Sequence, residues 1–289
     1  MTTIAKNKGT AVPPVNAMTV DLDDWAAAVL GPDQPVTEHV VANVQRVLDL
    51  LSQAGVRATF FALGRVCEQF PQLLPAVAAA GHEIASHGYR HERIYRMTPG
   101  QFEEDLRRSI EIIESQTGQR PIGYRAPAFS ITRASLWAGP ILAKVGFRYS
   151  SSIYPIRKQR YGIADWPTVP TKWPDCDLIE FPMTTLRLGG RNWPIGGGGY
   201  MRLFPSVITA HAIKRTNRQG QPAVIYLHPY ELAPGEVRRF IQQGFHVTRI
   251  RQFTQELWRS RVVPRLSRLL DEFRFGPMSE SLAACGLLT

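Results

Sequence analysis

HEIASHGYRH, residues 82–91, decides how this 289-residue chain is read. Its first half, His82–Ser86, has the look of a brief β-strand, and its second half sets His87 and His91 four positions apart just past that strand. Two imidazoles plus a carboxylate, with coordination positions left open, make a catalytic rather than a structural divalent-metal site. The spacing alone is also common among surface and core histidines, so its meaning depends on what surrounds it. Carboxylates stand upstream in Asp21-Leu22-Asp23-Asp24, at the end of the apolar run Val15–Val20. Alone, that cluster reads equally as a helix N-cap or a solvated turn.

Outward from these stretches, apolar runs alternate with helical periods. Val15–Val20, Arg57–Leu63, Ile122–Arg125, Phe147–Tyr149 and Ala223–Leu227 read as strands. Residues 38–53 read as a helix with Val40, Val44, Val47, Leu48 and Leu51 on one face, Thr37 as N-cap and Gly55 past its end. A second helix spans 71–80 and stops at Gly81, and another carries Phe102, Leu106, Ile110 and Ile113 before Gly118. Helices are also expected at 132–144 and 205–218, a short one after Gly235, then a strand at 245–248. A basic amphipathic tail follows, with Val262, Leu266, Leu269, Leu270 and Phe273. Strands alternating with helices predict βα units and parallel pairing. Asp21, His87, Arg125, Ser150 and His228 each fall at or just past the carboxyl end of a predicted strand. A βα-barrel gathers its chemistry there, because all its βα loops open on one face.

Composition narrows the classes. Hydrophobic residues make up 44% and charged residues 20%, which suits a sizeable core and excludes a disordered chain. No run approaches the ~20 apolar residues of a membrane span. Residues 1–14 read as a flexible, mildly basic lead-in without a secretory h-region, so a cytoplasmic location is expected. Cys67, Cys176 and Cys285 are scattered, which argues against a disulfide framework or a thiolate zinc site. The net charge of +10 favours an acidic or lipid-linked glycan or an inner-membrane surface. No basic region interleaved with aromatics marks nucleic-acid binding. Residues 155–203, rich in Pro, Gly, Trp and Arg, read as an insertion over the barrel mouth. Tyr154, Trp193, Tyr200 and Arg202 are its sugar-contact candidates, with a plain loop layer as the competing view. The expected organisation is a lead-in at 1–14, a barrel at 15–250 and a basic helical extension at 251–289.

Five segments in order carry a resemblance: TVDLDDW (19–25), SHGYRH (86–91), YRAPAFS (124–130), FRYSSSIYP (147–155) and IYLHPYE (225–231). Together they resemble the NodB-homology polysaccharide deacetylases, carbohydrate esterase family 4, over roughly residues 15–250. Residues 180–205, EFPMTTLRLGGRNWPIGGGGYMRLFP, with YLHPYEL, look like the branch found with exosortase/PEP-CTERM exopolysaccharide loci, which has an extra C-terminal segment.

The resemblance implies a distorted (β/α)7 barrel, a divalent metal (zinc, or else nickel, cobalt or manganese) and removal of an N-acetyl group from an amino sugar. It implies Asp21 as general base, His87 and His91 as metal ligands with Asp23 or Asp24 as the third, Arg125 holding the base, and His228 protonating the leaving amine. The chemistry needs these types. An acetamide is a poor electrophile, and its amine cannot leave as an anion, so a Lewis acid, a base and an acid are all required. Similar sequences often read Y-D-S-S where this chain has Tyr149-Ser150-Ser151-Ser152. That leaves the carboxylate partner of His228 open, with Asp165 as a candidate. Two other readings are an amidohydrolase of a small non-sugar amide or cyclic imide on the same barrel, and a catalytically weak glycan-binding protein.

Overall fold

The computed structural model describes residues 13–158 and 160–288; of the lead-in expected at 1–14, residues 1–12 lie outside the described residues. Strand β1 (Asn16–Leu22) leads to α1 (His39–Gln53), β2 (Thr59–Ala62), α2 (Gly64–Gln69), α3 (Leu73–Ala79) and β3 (Glu83–Ser86). Next come α4 (Pro99–Thr117), β4 (Gly123–Tyr124), α5 (Ala138–Lys144) and β5 (Tyr149–Ser150). The stretch read as an insertion holds β6 (Thr171–Lys172), β7 (Ile179–Glu180), β8 (Thr185–Leu188), β9 (Arg191–Pro194) and α6 (Gly199–Leu203). The chain then runs through α7 (Ser206–Arg218), β10 (Val224–Leu227), α8 (Glu236–Gln242), α9 (Arg249–Glu256), α10 (Val262–Glu272), β11 (Phe275–Gly276) and α11 (Met278–Ala284).

The sheet order is β10-β1-β2-β3-β4-β5-β7-β6, with every neighbouring pair from β10 to β7 parallel and β6 antiparallel at the edge. This is a curled α/β sheet of seven parallel strands, as the resemblance implied. The expected insertion is therefore not all loop, because β7 within it is the seventh parallel strand. At the open side, Gly197 bridges Tyr226 of β10, and the Tyr226 N–H donates to Gly196 O at 2.7 Å. Gly197 has φ +139° and its backbone lies so close to Tyr226 that a Cβ would sit 1.8 Å from that carbonyl oxygen. Only glycine can close the seam there.

Strand alternation sorts the side chains. In β1, Met18, Val20 and Leu22 face the helices and share a cluster with Val40, Val44 and Val47 of α1. Ala17 faces inward with Phe61, Ala85, Tyr149 and Tyr226. Each fully buried aliphatic side chain contributes roughly 1.5–3 kcal/mol, so the α1 face holds that wall firmly. Helix α4 has the expected face of Phe102, Leu106, Ile110 and Ile113. A Thr98–Gln101 capping box with Pro99 starts it, and Gly118 at φ 69° ends it.

Three expectations about local structure are corrected. The helix expected at 132–144 begins only at Ala138, after a 3-10 turn at Arg133–Ser135. Pro140 is tolerated only in a first turn, since its ring would clash with the carbonyl four residues back. Residues 245–248 form no strand: Phe245 and Val247 pack on the Trp25–Tyr230–Phe240 cluster, Thr248 caps α9, and Gly197 already occupies β10's outer edge. The tail is more than a helical extension, because β11 pairs with the start of β1 and Met278 and Leu282 of α11 enter the inner cluster. Among the described residues no helix is long and apolar enough to cross a membrane.

Candidate metal centre and active site

The alternation that puts Ala17 inside also points Thr19 and Asp21 inward at the carboxyl end of β1. Asp21 Oδ1 accepts from Arg125 Nη1 at 2.6 Å, and both side chains are buried. Arg125 follows β4 and is held at every edge. Its Nη1 donates to Thr19 Oγ1 at 2.9 Å, its Nε to Ser151 O and its Nη2 to Ser151 Oγ, both at 3.1 Å. The guanidinium lies 4.1 Å from the Phe61 ring centroid. Burial alone would raise the Asp21 pKa, but the Arg125 charge and hydrogen bond, with the His228 charge, outweigh it and hold the carboxyl below its usual range.

Asp23, His87 and His91 each offer one ligand atom, all within 4.8 Å of one another. Both Asp23 oxygens are buried without a hydrogen bond, and His91 Nε2 lies 3.5 Å from Oδ2. A buried carboxylate left so costs several kcal/mol unless something neutralises it, so the donor set fits a cation. His87 Nδ1 lies 2.8 Å from Arg125 O. A proton there donates to the carbonyl and leaves Nε2 free as a ligand. Burial pushes the His87 pKa down to about 4, which keeps the imidazole neutral.

Asp24, the other candidate third ligand, points away. Its carboxylate accepts from Thr37 N at 3.1 Å and from Thr37 Oγ1, and burial raises its pKa to about 7. It fastens the loop entering α1. Asp23, one residue past the end of β1, continues the inward side of Thr19 and Asp21.

The 86–91 loop is pinned by a residue that the motifs did not single out. Asp105 of α4 accepts from Tyr89 N at 2.8 Å and Arg90 N at 3.1 Å. Gly88, at φ 74°, is needed there, since a Cβ would sit 2.7 Å from Asp105 Oδ2. His91 itself has φ 62°, and Ala128 and Phe129 across the cavity have φ 53° and 52°. Left-handed non-glycine residues store strain of about 1–3 kcal/mol each and cluster at functional sites.

His228, 19% exposed at the end of β10, has Nε2 4.0 Å from Asp21 Oδ2. Its carboxylate partner is Glu231: Nδ1 is 3.3 Å from Glu231 Oε2, which also accepts from His228 N at 3.1 Å. Burial lowers the His228 pKa, yet Asp23, Glu231 and Asp21 overcome it and carry it to about 9. Asp165 does not take this place. It is exposed and pairs with exposed Arg133. Ser150 donates to Ser152 Oγ at 2.8 Å, and its cross-strand neighbour is the buried Glu180.

These groups open into a cavity of about 310 Å³ walled by Phe129, Tyr154, Tyr161, Tyr226 and Tyr230, with Arg93 and Arg160 at its edge. Of the expected sugar contacts, Tyr154 lines this cavity, and Tyr200 sits behind Tyr161 with their hydroxyls 3.1 Å apart. Trp193 is 50% exposed on the β8–β9 hairpin and does not line the cavity. Arg202 is buried, donates to Thr254 O and Gln255 O, and lies 3.8 Å behind Glu231. Trp166 and Trp173 pack on each other in the core.

Residues 23–150 match the family model described as polysaccharide deacetylase, and residues 151–283 match one described as a domain of unknown function (DUF3473). A peptidoglycan deacetylase of Helicobacter pylori is 31% identical over 189 residues, 57% of this chain and 64% of that protein. The chain thus spans just under two thirds of that relative. A Mycobacterium smegmatis structure assigned as a polysaccharide deacetylase overlays with TM-score 0.58 at 22% identity, covering 96% of both chains. The structure of PuuE allantoinase gives TM-score 0.59 at 16% identity, covering 96% of this chain and 94% of that one. Such identities speak for the fold alone. Over residues 23–150 this chain is therefore similar to polysaccharide deacetylases.

Proposed function

We propose that the protein removes acetyl groups by hydrolysis from acetamido-sugar units of a polysaccharide or its lipid-linked precursor. The observation that carries this reading is the pairing of two sets of groups around one cavity: the unpartnered Asp23 carboxylate with His87 and His91, and Asp21 with His228. Asp23, His87 and His91 would hold a divalent cation, zinc being the natural choice for this donor set. Such a cation supplies Lewis acidity that polarises the acetamide carbonyl and makes water more acidic. Asp21, kept ionised and fixed by Arg125, accepts the proton of the attacking water. His228, charged beside Glu231, donates a proton to the amine nitrogen as the C–N bond breaks. Acetate and a free amino sugar are the products. The tyrosine walls suit a sugar ring, with apolar faces and hydroxyls on one surface.

Arg93 and Arg160 line the cavity and have no carboxylate partner among the described residues. They support a glycan with a carboxylate or phosphate close to the acetamido group. The 180–205 segment favours an exopolysaccharide substrate by its resemblance. Acetate release is measured on N-acetylglucosamine oligomers, peptidoglycan, acidic glycans and lipid-linked sugars, with metal-loaded and chelated protein. Release that requires metal and is lost in Asp21→Asn supports the reading. Full release from Asp21→Asn overturns the base assignment, and no release from any acetamido sugar by metal-loaded protein overturns the activity.

A further inference from the structure

Helix α9 has no buried residue, although Ile250, Phe253 and the capping Leu257 recur at helical spacing. A stripe of that kind normally faces a core. Here Ile250 is 79% exposed and Phe253 is 65% exposed. Trp258, 42% exposed, and Val263 continue the apolar surface into α10, with the Arg261 guanidinium 5.0 Å from the Trp258 ring centroid. Leu203 and Val207 add to it from α6 and α7. Arg202, donating to Thr254 O and Gln255 O, and Arg265, donating to Met201 O and Arg202 O, tie these helices side by side. These six side chains make up most of the large hydrophobics exposed among the described residues, so the exposure is concentrated rather than scattered.

The charge around this patch has one sign. Residues 249–268 hold six arginines against one acidic residue, Glu256; Arg259 is buried and Arg265 donates to backbone carbonyls, which leaves Arg249, Arg251, Arg261 and Arg268 exposed. Glu256 is used internally, accepting from Gly235 N at 3.0 Å and Val237 N at 2.8 Å. Exposed Ile, Phe and Trp beside exposed arginines on a short surface helix form the pattern that lies in a bilayer interface, apolar side chains among acyl chains and guanidiniums at headgroup phosphates. We propose that α9 and the start of α10 dock this protein on an anionic lipid surface. The docking element is rigidly joined to the catalytic segment, since Arg259 Nη1 donates to Tyr230 O at 2.7 Å, two residues past His228. Docking therefore holds the cavity at a fixed position relative to the headgroups.

Co-sedimentation of the full chain with vesicles of phosphatidylcholine, alone or mixed with phosphatidylglycerol, tests this without any substrate. The expected result is at least roughly tenfold tighter partitioning onto the anionic vesicles, weakening with salt. I250S/F253S, both at exposed positions, should weaken it by roughly tenfold or more at an unchanged melting temperature. Arg249→Gln, Arg251→Gln and Arg261→Gln should each cost roughly fivefold on anionic vesicles. Equal partitioning onto both vesicle types, or retention of full binding by I250S/F253S, overturns the proposal. So does a concentration-dependent dimer that I250S/F253S abolishes in a protein that does not bind vesicles, since the patch would then serve a second copy of the chain.

Discussion

Glu231→Gln isolates what a carboxylate does for the proposed acid. The amide keeps the shape and can still accept from His228 N, so the turn survives and only the charge goes. His228 Nδ1 and Glu231 Oε2 are 3.3 Å apart. Two unit charges at that separation attract by about 5 kcal/mol at an effective dielectric of about 20. With about 1.36 kcal/mol per pKa unit, that is a ceiling of between roughly three and four units. Solvent reaching the partly exposed ring lowers it, and opposite charges this close commonly move a pKa by about 1–3 units. Without Glu231, burial of His228 is opposed only by Asp23 and Asp21.

Because His228 must be protonated to act, activity falls as pH rises through its pKa, here about 9. The variant's alkaline limb should lie roughly one and a half to two units lower. At pH 8 its kcat/KM should then be down by roughly four- to tenfold, with little change at pH 6. A cation beside Asp23 moves both profiles down together and leaves the difference between them. Stability follows the same group. A histidine raised from 6.5 to about 9 adds stability that is complete below pH 6.5 and lost as the pH passes 9, so the melting-temperature gap between the two proteins should close across that window. Acetate release from pH 5.5 to 10 is the assay. A variant whose alkaline limb overlies the wild type, while Asp165→Asn shifts it, would refute the assignment of Glu231 and restore Asp165.

Asp23→Asn should abolish divalent-metal binding, measured by metal analysis after dialysis, whereas Asp24→Asn should retain the metal and lose roughly 1 kcal/mol of stability from its Thr37 contacts. Arg125→Met should destabilise the fold by about 3–5 kcal/mol in denaturant titration, because it leaves the Asp21 carboxylate buried without its ion pair. Burial raises the Glu180 pKa to about 7. The folded state therefore holds an extra proton between its ordinary value of 4.5 and pH 7, and stability declines over that window by roughly 3 kcal/mol at most. Glu180→Gln should flatten the decline in thermal melts, and a variant with the wild-type slope would show that the group is already ionised in the fold.

What the sequence revealed depends on how far each contact reaches. The Asp21–Arg125 pair spans 104 residues, yet it could be anticipated because parallel strands bring their carboxyl ends together regardless of separation. Spacing left Asp23 and Asp24 open, because both lie past the end of β1 at Leu22, where strand alternation no longer fixes which side chain turns inward. Glu231 was readable through a different signal. His228-Pro229-Tyr230-Glu231 is a capping box with proline at its first position, and the third residue of such a box folds back onto the first. The missing acid at position 150 points instead to Asp165, whose surface pairing with Arg133 no periodicity discloses.

Glu180 marks where such reading stops. Its Oε1 accepts from Ser152 N at 2.7 Å and Ile153 N at 2.8 Å, beside Ser150, so the wall where similar sequences often carry an aspartate is still supplied with a carboxylate, from the neighbouring strand. Seeing this needs the β5–β7 register, and β7 is a two-residue strand inside a Pro- and Gly-rich stretch with too few positions to show any alternation. Arg202 fails for the opposite reason. Its place in a Pro-, Gly-, Trp- and Arg-rich insertion suggests a sugar contact, while two hydrogen bonds and an ion pair turn the side chain inward behind Glu231. A charge pattern shows which residue types are present, whereas the direction in which a long side chain turns is set by unpaired backbone carbonyls, here those of Thr254 and Gln255 at the end of α9, that only the folded chain brings within its reach.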